Sequence, residues 1–209
     1  DDVKSAIPFM KKSHAKGKPF FINLWIHEPH TPFHVDPKLQ KLFPDLPEAD
    51  NIYAATLYHA DLRIGQLLDA LEEMKITENT LVIFSSDNGP ARGAPNSPIT
   101  LTYDSATGPG YGIGGARGIT GGRRAFKGAL MEGGIGVPFI ARWPGKIAAG
   151  KVDKTSVLSA VDLLPTFCEL AGVKLPKSYK PDGISQVSTL MGRGNKLRKK
   201  PIFWKMSAP

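Results

Sequence analysis

The feature that most constrains the fold of this chain is a set of short apolar segments that alternate with polar loops. Three such segments occur, at residues 19–26, 80–84 and 137–143. The first is almost continuously apolar, which favours a strand buried on both faces of a sheet. Between the first two, residues 52–74 carry apolar side chains at helical spacing. Strands that alternate with helices predict an α/β layer with a largely parallel sheet, whose ligands gather at the carboxyl ends of the strands.

Proline and glycine mark the connections between these elements. Five prolines within residues 29–47 argue against a regular helix or a central strand, so this stretch is predicted to be a long loop. Residues 89–122 are rich in glycine and are predicted to form a second long loop of a functional or mobile kind. Asp162 is predicted to cap a helix that has Pro165 in its first turn and ends at Gly172.

Composition and charge exclude several classes of protein. The 209 residues contain a single cysteine, so a disulfide scaffold is excluded. No apolar run is as long as the about 18 residues that a membrane-spanning helix needs. The net charge of +8 favours anionic partners. The basic stretch at residues 193–200 has no interleaved aromatic side chain, so we interpret it as a solvated linker or strand edge rather than a nucleic-acid patch.

The first residue that can carry chemistry follows the first apolar segment. His30 lies between Pro29 and Pro32 on a loop whose backbone the two prolines restrict. Such a loop can aim an imidazole at an anionic substrate oxygen, or place it as a general acid. A structural hydrogen-bonding role is the alternative interpretation of this histidine.

A candidate metal site follows the second apolar segment. Asp87 and Asn88 present a carboxylate and an amide oxygen, which are hard ligands of the kind that Ca²⁺ or Mg²⁺ prefers. Because Ca²⁺ takes about six to eight oxygens, the other ligands must come from elsewhere in the fold or from the substrate. The alternative is an Asx-type turn, since Asp-Asn-Gly is also a sequence typical of turns.

A candidate anion site lies in the glycine-rich segments at residues 121–128 and 131–138. Glycines let backbone N–H groups approach an anion closely, and Lys127 adds a compact positive charge. The spacing is not that of a nucleotide-binding P-loop, because no Ser or Thr follows Lys127. A merely flexible loop is the alternative.

Taken in order, these segments resemble the formylglycine-dependent sulfatases of the alkaline phosphatase superfamily. The resemblance rests on Pro-His-Thr-Pro at 29–32, Ser-Ser-Asp-Asn-Gly at 85–89, Lys-Gly at 127–128, Glu-Gly-Gly at 132–134 and Trp-Pro-Gly at 143–145. It implies an alkaline-phosphatase-like, mostly parallel sheet flanked by helices. It also implies that Asp87 and Asn88 bind a divalent cation, usually Ca²⁺ rather than Mg²⁺, and that His30 and Lys127 contact the substrate sulfate.

For other polar residues near these segments, the sequence gives weaker evidence of a role at the site. His27 lies on the same loop as His30 and could line the pocket, or it could have a structural role at the strand end. Arg117, Arg123 and Arg124 could pair with a second sulfate or a sugar carboxylate, with a solvated loop as the alternative. His59 is interpreted as a surface or packing residue.

The family's nucleophile is missing from this sequence. Sulfatases make a formylglycine from the Cys or Ser of a Cys/Ser-x-Pro-x-Arg motif, and these 209 residues contain no such motif. Cys168 lacks the Pro and the Arg, so we interpret it as a packing residue. We expect an incomplete sulfatase, with residues 1–175 as a catalytic domain that lacks its N-terminal nucleophile region and residues 176–209 as the beginning of a C-terminal subdomain.

The resemblance implies that the complete enzyme hydrolyses the sulfate ester of a sulfated sugar or an aryl sulfate, while this chain alone is expected to be inactive. Two alternatives stay open: a phosphodiesterase or phosphonate monoester hydrolase of the same superfamily, and a noncatalytic fragment that binds sulfated glycans. The expected partner is a sulfated small molecule or glycan, with no nucleic acid and no membrane span. An extracellular, periplasmic or lysosomal location is implied by the resemblance alone.

Overall fold

The computed structural model describes most of the chain, namely residues 2–93, 101–104, 108–112, 116–194, 198–199 and 201–206. The chain forms two compact units. The first comprises Asp1–Ile76 and Ser85–Pro138, and the second comprises Thr77–Phe84 and Phe139–Pro209. Within these described ranges, no helix combines the length and the apolarity that a bilayer crossing requires. The predicted domain boundary at residue 175 stays a prediction.

The helices of the first unit include one long helix and three shorter ones. They are α1 at Asp2–Ala15, α2 at Pro37–Gln40, α3 at Glu48–Glu73 and α4 at Glu132–Ile135. Helix α3 confirms the helix predicted at residues 52–74, with an earlier start directly after Pro47. The proline-rich stretch is a loop as predicted, interrupted only by the single turn of α2. Pro37 suits the first turn of that helix, because proline lacks the N–H that a first turn leaves unpaired.

Helix α1 has no counterpart in the elements predicted from the sequence. Val3, Ala6 and Met10 are buried on one side of it, at the spacing of a helix that packs with one face. The helix contacts α3, and Lys11 Nζ donates to Glu73 Oε2 at 3.0 Å. The apolar spacing of these three residues is the signal that could have predicted the helix. Its interior Pro8 and its many lysines obscure that signal.

The core of the first unit joins the proline-rich loop to α3. It consists of the buried residues Phe33, Ile52 and Ala116, with Val35, Tyr53 and Tyr111 packed around them. Phe33 is 1% exposed, and its ring meets that of Tyr53 edge to face with centroids 6.0 Å apart. Burial raises the pKa of the Tyr53 phenol. The loop that carries His30 is therefore anchored in the core by the nearby Phe33.

Removing one methyl group from this core should be measurable. Ile52→Val should lower the free energy of unfolding by about 0.5–1.5 kcal/mol, because the Ile52 side chain is fully buried at 0% exposure. Ile119→Val is the matched control, since Ile119 is 84% exposed, and it should stay within about 0.5 kcal/mol of the parent. Urea unfolding of both variants measures the difference. Equal midpoints for the two variants would contradict the assignment of Ile52 to the core.

Four strands are described: β1 at Val82–Ser85, β2 at Leu101–Asp104, β3 at Gly108–Tyr111 and β4 at Phe139–Arg142. Strands β1 and β4 pair in one two-stranded sheet and confirm the strands predicted at residues 80–84 and 137–143. Strands β2 and β3 form an antiparallel pair with Leu101 opposite Tyr111. Together with the helices, these strands confirm the α/β fold class.

The β2–β3 hairpin corrects the prediction of an uninterrupted loop over residues 89–122. Strand β3 contains Gly108, Pro109 and Gly110, which pattern analysis assigns to loops. Pairing with β2 makes it a strand, and Tyr111 extends the pairing by exchanging backbone hydrogen bonds with Phe33, at 2.8 and 3.1 Å. Residues 94–100, 105–107 and 113–115 of this region lie outside the described residues.

The predicted strand at residues 19–26 is wrong as a paired, buried strand. Its side chains alternate between exposed and half-buried, with Phe21 68% and Trp25 79% exposed. This period of two is typical of extended backbone, but no strand pairs with the segment among the described residues. Strand β1 is also less buried than predicted, with Phe84 46% exposed. Full burial needs neighbours on both faces, and a two-stranded sheet does not supply them.

The second unit centres on the buried carboxylate of Asp162. A 3₁₀ turn at Ala160–Asp162 leads into α5 at Leu163–Leu170, which confirms the predicted helix, and α6 spans Val187–Leu190. Asp162 precedes α5, but its side chain does not cap that helix. It accepts hydrogen bonds from the backbone N–H groups of Ser159 at 3.0 Å and Ile184 at 2.8 Å, and it pairs with Arg198.

The pairing of Arg198 corrects one part of the solvated interpretation of residues 193–200. The Arg198 side chain is 13% exposed, because it neutralises the buried Asp162 carboxylate. No sequence pattern links these two residues, since they are far apart along the chain. Cys168 is a free, half-buried thiol on α5, in agreement with a packing role.

Candidate active site

The loop after β1 holds the two predicted metal ligands. Asp87 is exposed and Asn88 is half-buried. Asp87 Oδ1 accepts a hydrogen bond from the Asn88 backbone N–H at 2.9 Å, and Asn88 Nδ2 donates to the Gly89 carbonyl at 2.9 Å. Each of these bonds joins adjacent residues, so neither is the bond of an Asx-type turn, which reaches the backbone two residues on. They leave Asp87 Oδ2 and Asn88 Oδ1 without a donor in the part of the chain that the structure describes.

The two oxygens fit a hard divalent cation as part of a larger site. A charged carboxylate oxygen and a neutral amide oxygen are both ordinary Ca²⁺ ligands, and the turn leaves one of each available. The described residues contain no group of three or more His, Cys, Asp or Glu side chains arranged to hold a metal. Asp87 and Asn88 would therefore supply a minority of the about six to eight oxygens that Ca²⁺ takes.

Backbone hydrogen bonds connect this loop to the segment that carries Lys127. The Lys127 N–H donates to the Pro90 carbonyl at 2.9 Å, and the Gly89 N–H donates to the Gly134 carbonyl at 2.8 Å. The Lys127 side chain is exposed, so its ammonium group is free to meet an anion. The structure thus brings the second and third groups of predicted site residues into one backbone network.

Glycine is required where these segments meet, because their backbones approach too closely for any side chain. A Cβ on Gly89 would lie 1.9 Å from the carbonyl oxygen of Gly133. A Cβ on Gly133 would lie 2.0 Å from the carbonyl oxygen of Ala125. Both distances are far below ordinary van der Waals contact. The glycine-rich composition here therefore indicates tight packing rather than the flexible loop that was the alternative.

His30 presents one ring nitrogen to solvent in a defined orientation. Its backbone N–H closes a turn with the His27 carbonyl at 2.8 Å, and its Nδ1 lies 2.6 Å from the Thr31 carbonyl oxygen. A carbonyl only accepts, so Nδ1 carries the proton and donates. Nε2 is then the nitrogen that can meet a substrate oxygen. The backbone turn and this hydrogen bond restrain the imidazole of an exposed side chain.

The His27 ring lies beside the rings of His30 and His34. The ring centroid of His27 lies 5.6 Å from that of His30 and 6.2 Å from that of His34. Nε2 of His27 is buried without a hydrogen-bond partner among the described residues. His27 as a whole is half-buried, and its role at the pocket stays a prediction.

His30 lies in the same compact unit as the other three predicted site residues. No hydrogen bond or ion pair joins it to Asp87, Asn88 or Lys127 within the described ranges. The site roles of all four residues stay predictions. Arg117, in contrast, is engaged in the protein itself, since its Nε lies 2.6 Å from Asp50 Oδ1.

One polar contact near His30 was not predicted from the sequence. His59 Nδ1, on α3, lies 3.1 Å from Glu28 Oε1 on the His30 loop. Both side chains are largely buried, with 31% of His59 and 21% of Glu28 exposed. The only available signal is that His59 and Arg63 are spaced to share one face of a helix. Glu28, the partner of His59, is visible only in the folded chain.

Two named sulfatases are similar to this chain over almost its whole length. Arylsulfatase G of Rattus norvegicus is 32% identical over 191 residues, which is 91% of this chain and 33% of that protein. N-acetylgalactosamine-6-sulfatase of Canis lupus familiaris is 31% identical over 205 residues, which is 97% of this chain and 34% of that protein. The chain thus spans about a third of the length of these relatives.

Solved structures and a family model agree with these relatives. The structure of Ps i-CgsB superposes with a TM-score of 0.75 at 30% identity, covering 92% of this chain and 38% of that one. A complex of Ps i-CgsB with k-i-k-neocarrahexaose gives the same values. The α/β fold is therefore the alkaline-phosphatase-like fold of these proteins. The Sulfatase family model matches residues 3–173, and the chain belongs to the sulfatase family.

Proposed function

We propose that the protein carrying this chain hydrolyses sulfate monoesters. The observation that carries the proposal is the backbone network that joins the Asp87–Asn88 turn to Lys127 through Pro90, Gly89 and Gly134. This network holds a candidate cation-binding turn and a candidate anion-binding lysine in one packed structure. Hydrolysis of a sulfate ester needs both the cation and the lysine, because the anionic sulfate oxygens must be neutralised while charge develops on the leaving oxygen.

The four candidate residues have three roles in this proposal. Asp87 and Asn88 would hold Ca²⁺, which supplies positive charge that neutralises the sulfate oxygens. Lys127 adds a second positive charge for the sulfate. In its doubly protonated form His30 donates from Nδ1 to the Thr31 carbonyl and from Nε2 to the leaving oxygen, so the Thr31 bond restrains the orientation of the donating ring.

The residues of this chain do not supply the nucleophile. The formylglycine expected for the family requires a Cys/Ser-x-Pro-x-Arg motif, and the 209 residues contain none. We therefore assign no step of nucleophilic attack to any residue here. The chain by itself should bind the anion without turning it over.

A sulfated glycan is the substrate class that we propose. One relative carries the name N-acetylgalactosamine-6-sulfatase, and the similar Ps i-CgsB has been solved with a neocarrahexaose, an oligosaccharide. The net charge of +8 on this chain favours a polyanionic partner through long-range attraction. As the resemblance to the family implies, the substrate specificity is expected to lie in the segment at residues 90–120.

The reaction class is tested with matched esters of sulfate and phosphate. The whole protein that carries this chain should hydrolyse an aryl sulfate and a 6-sulfated sugar faster than the corresponding phosphate monoester, phosphodiester and phosphonate. A preference for phosphodiesters would replace the sulfatase proposal by a phosphodiesterase. Binding of sulfated glycans without turnover of any ester would indicate a noncatalytic binding protein.

The metal assignment is tested by calcium titration. Asp87→Ala should weaken Ca²⁺ binding at least about 100-fold, because it removes the charged ligand from the turn. Asn88→Asp keeps an oxygen and adds charge, so its Ca²⁺ affinity should equal or exceed that of the parent. Asp69→Ala, at an exposed aspartate of α3, is the matched control and should bind as the parent does. If Asp87→Ala also binds Ca²⁺ like the parent, the segment is only a turn.

A further inference from the structure

Three polar side chains, Glu28, His59 and Arg63, connect the His30 loop to the surface of α3. The Glu28 carboxylate lies 3.1 Å from His59 Nδ1, and Arg63 Nε lies 3.2 Å from His59 Nε2. Arg63 in turn donates from Nη1 to Gln66 Oε1 at 3.0 Å. His59 and Arg63 lie one helical turn apart, so both reach the same face of α3.

The chemistry of the three groups determines which atom donates. A guanidinium only donates hydrogen bonds, so His59 Nε2 must accept from Arg63. The proton of the neutral ring is therefore on Nδ1, which donates to the Glu28 carboxylate. The ring is a bridge between a fixed cation and a fixed anion. The Glu28 side chain is only 21% exposed, so its carboxylate is stabilised more by this hydrogen bond and less by water than a fully solvated carboxylate would be.

Glu28 is close to His30 along the chain and lies inside the same turn. The backbone hydrogen bond from the His30 N–H to the His27 carbonyl encloses Glu28. A contact that restrains the Glu28 side chain therefore restrains the turn from which the imidazole of His30 projects. Phe33 anchors the loop on the other side of His30, through its burial and its bonds to Tyr111. His30 is thus held from both directions.

We propose that Glu28 and His59 are positioning residues that fix the orientation of the His30 imidazole, with Arg63 fixing the tautomer of His59. The inference rests on the proposed role of His30 at the sulfate ester. Neither residue touches the substrate; both act through the backbone turn of residues 27–30. Misplacement of a catalytic group by about 1 Å can cost 100-fold in rate.

The kinetic test uses the whole protein that carries this chain, with an aryl sulfate as substrate. Glu28→Ala and His59→Leu should each lower kcat by about 10- to 100-fold, while KM stays within about twofold because the other sulfate contacts remain. Glu28→Gln keeps an oxygen that accepts from His59 Nδ1, so it should recover most of kcat. Glu169→Ala, at an exposed glutamate of α5, is the control and should match the parent.

A double-mutant cycle separates positioning from general stability. In a His30→Ala background, Glu28→Ala should cause no further loss of kcat, because the group that it positions is absent. The double variant Glu28→Ala/His59→Leu should be no worse than either single variant. A further loss in the His30→Ala background would overturn the inference and indicate a structural role. Parent-like kcat in Glu28→Ala would also overturn it.

A spectroscopic readout keeps the inference independent of the reaction. Histidine ring ¹⁵N spectra of the whole protein should show His59 protonated at Nδ1, and Glu28→Ala should shift the ring signals of His30. Unchanged His30 signals in Glu28→Ala would refute the positioning role, whatever the activity. If His30→Ala retains full sulfatase activity while these signals shift, the proposed catalytic role of His30 fails and the structural coupling stands.

Discussion

Alanine at Gly133 is expected to disrupt the packing of the candidate site. The new Cβ would lie 2.0 Å from the Ala125 carbonyl oxygen and 2.6 Å from that of Arg124. These atoms belong to the backbone, so no side chain can rotate to relieve the clash. The Gly133 N–H also donates to the Arg124 carbonyl at 2.7 Å, and that bond would be lost as the segments separate.

We expect Gly133→Ala to lower the free energy of unfolding by about 3 kcal/mol or more, at or above the usual cost of overpacking. Urea unfolding measures this loss, and calcium titration tests whether the Asp87–Asn88 turn is displaced with it. Gly65→Ala is the control, because Gly65 lies inside α3 with nothing within 4 Å of its Cβ position. That variant should gain about 0.5–1 kcal/mol from helix propensity. Loss of stability in the control, or none in Gly133→Ala, would contradict the packing described here.

Removing the Lys127 side chain is expected to reduce turnover by about 100- to 1000-fold in the whole protein, the range found when one donor to a developing negative charge is lost. The Lys127 N–H that bonds to Pro90 is a backbone group, so alanine keeps the connection to the Asp87–Asn88 turn. The variant therefore loses charge but retains the position of the loop. Its stability and its affinity for Ca²⁺ should match those of the parent.

Steady-state kinetics on an aryl sulfate, run beside calcium titration, measure the effect of Lys127→Ala. Lys12→Ala is the matched control, because it removes an exposed lysine from α1 in the same compact unit. Full activity in Lys127→Ala would remove this residue from the site. An equal loss in Lys12→Ala would show that net charge, rather than a local contact, supports the reaction.

Local patterns in the sequence predict local structure well in this protein. The apolar periodicity of residues 52–74 predicts α3, and the two apolar segments before Ser85 and Trp143 predict β1 and β4. The polar loop after β1 is likewise visible in the sequence. These features depend on neighbours along the chain, so they can be inferred before any tertiary contact is known.

Burial and pairing could not be predicted in the same way. Residues 19–26 are as apolar as a buried strand, yet Trp25 is 79% exposed, because no described strand pairs with them. The β2–β3 hairpin forms across glycine and proline, and Tyr111 at its end also pairs with Phe33 from a distant loop. Burial and pairing of this kind depend on partners far along the chain, which no local pattern contains.

The sequence by itself determined α3, α5, β1 and β4, the sulfatase resemblance and the choice of four candidate site residues. Only the tertiary structure decided how those residues are supported. The contacts of Lys127 with Pro90, of Gly133 with Ala125 and of His59 with Glu28 each join segments that are separate in sequence. A hydrogen bond or a steric contact depends on distances of a few ångströms, and the folded backbone sets those distances.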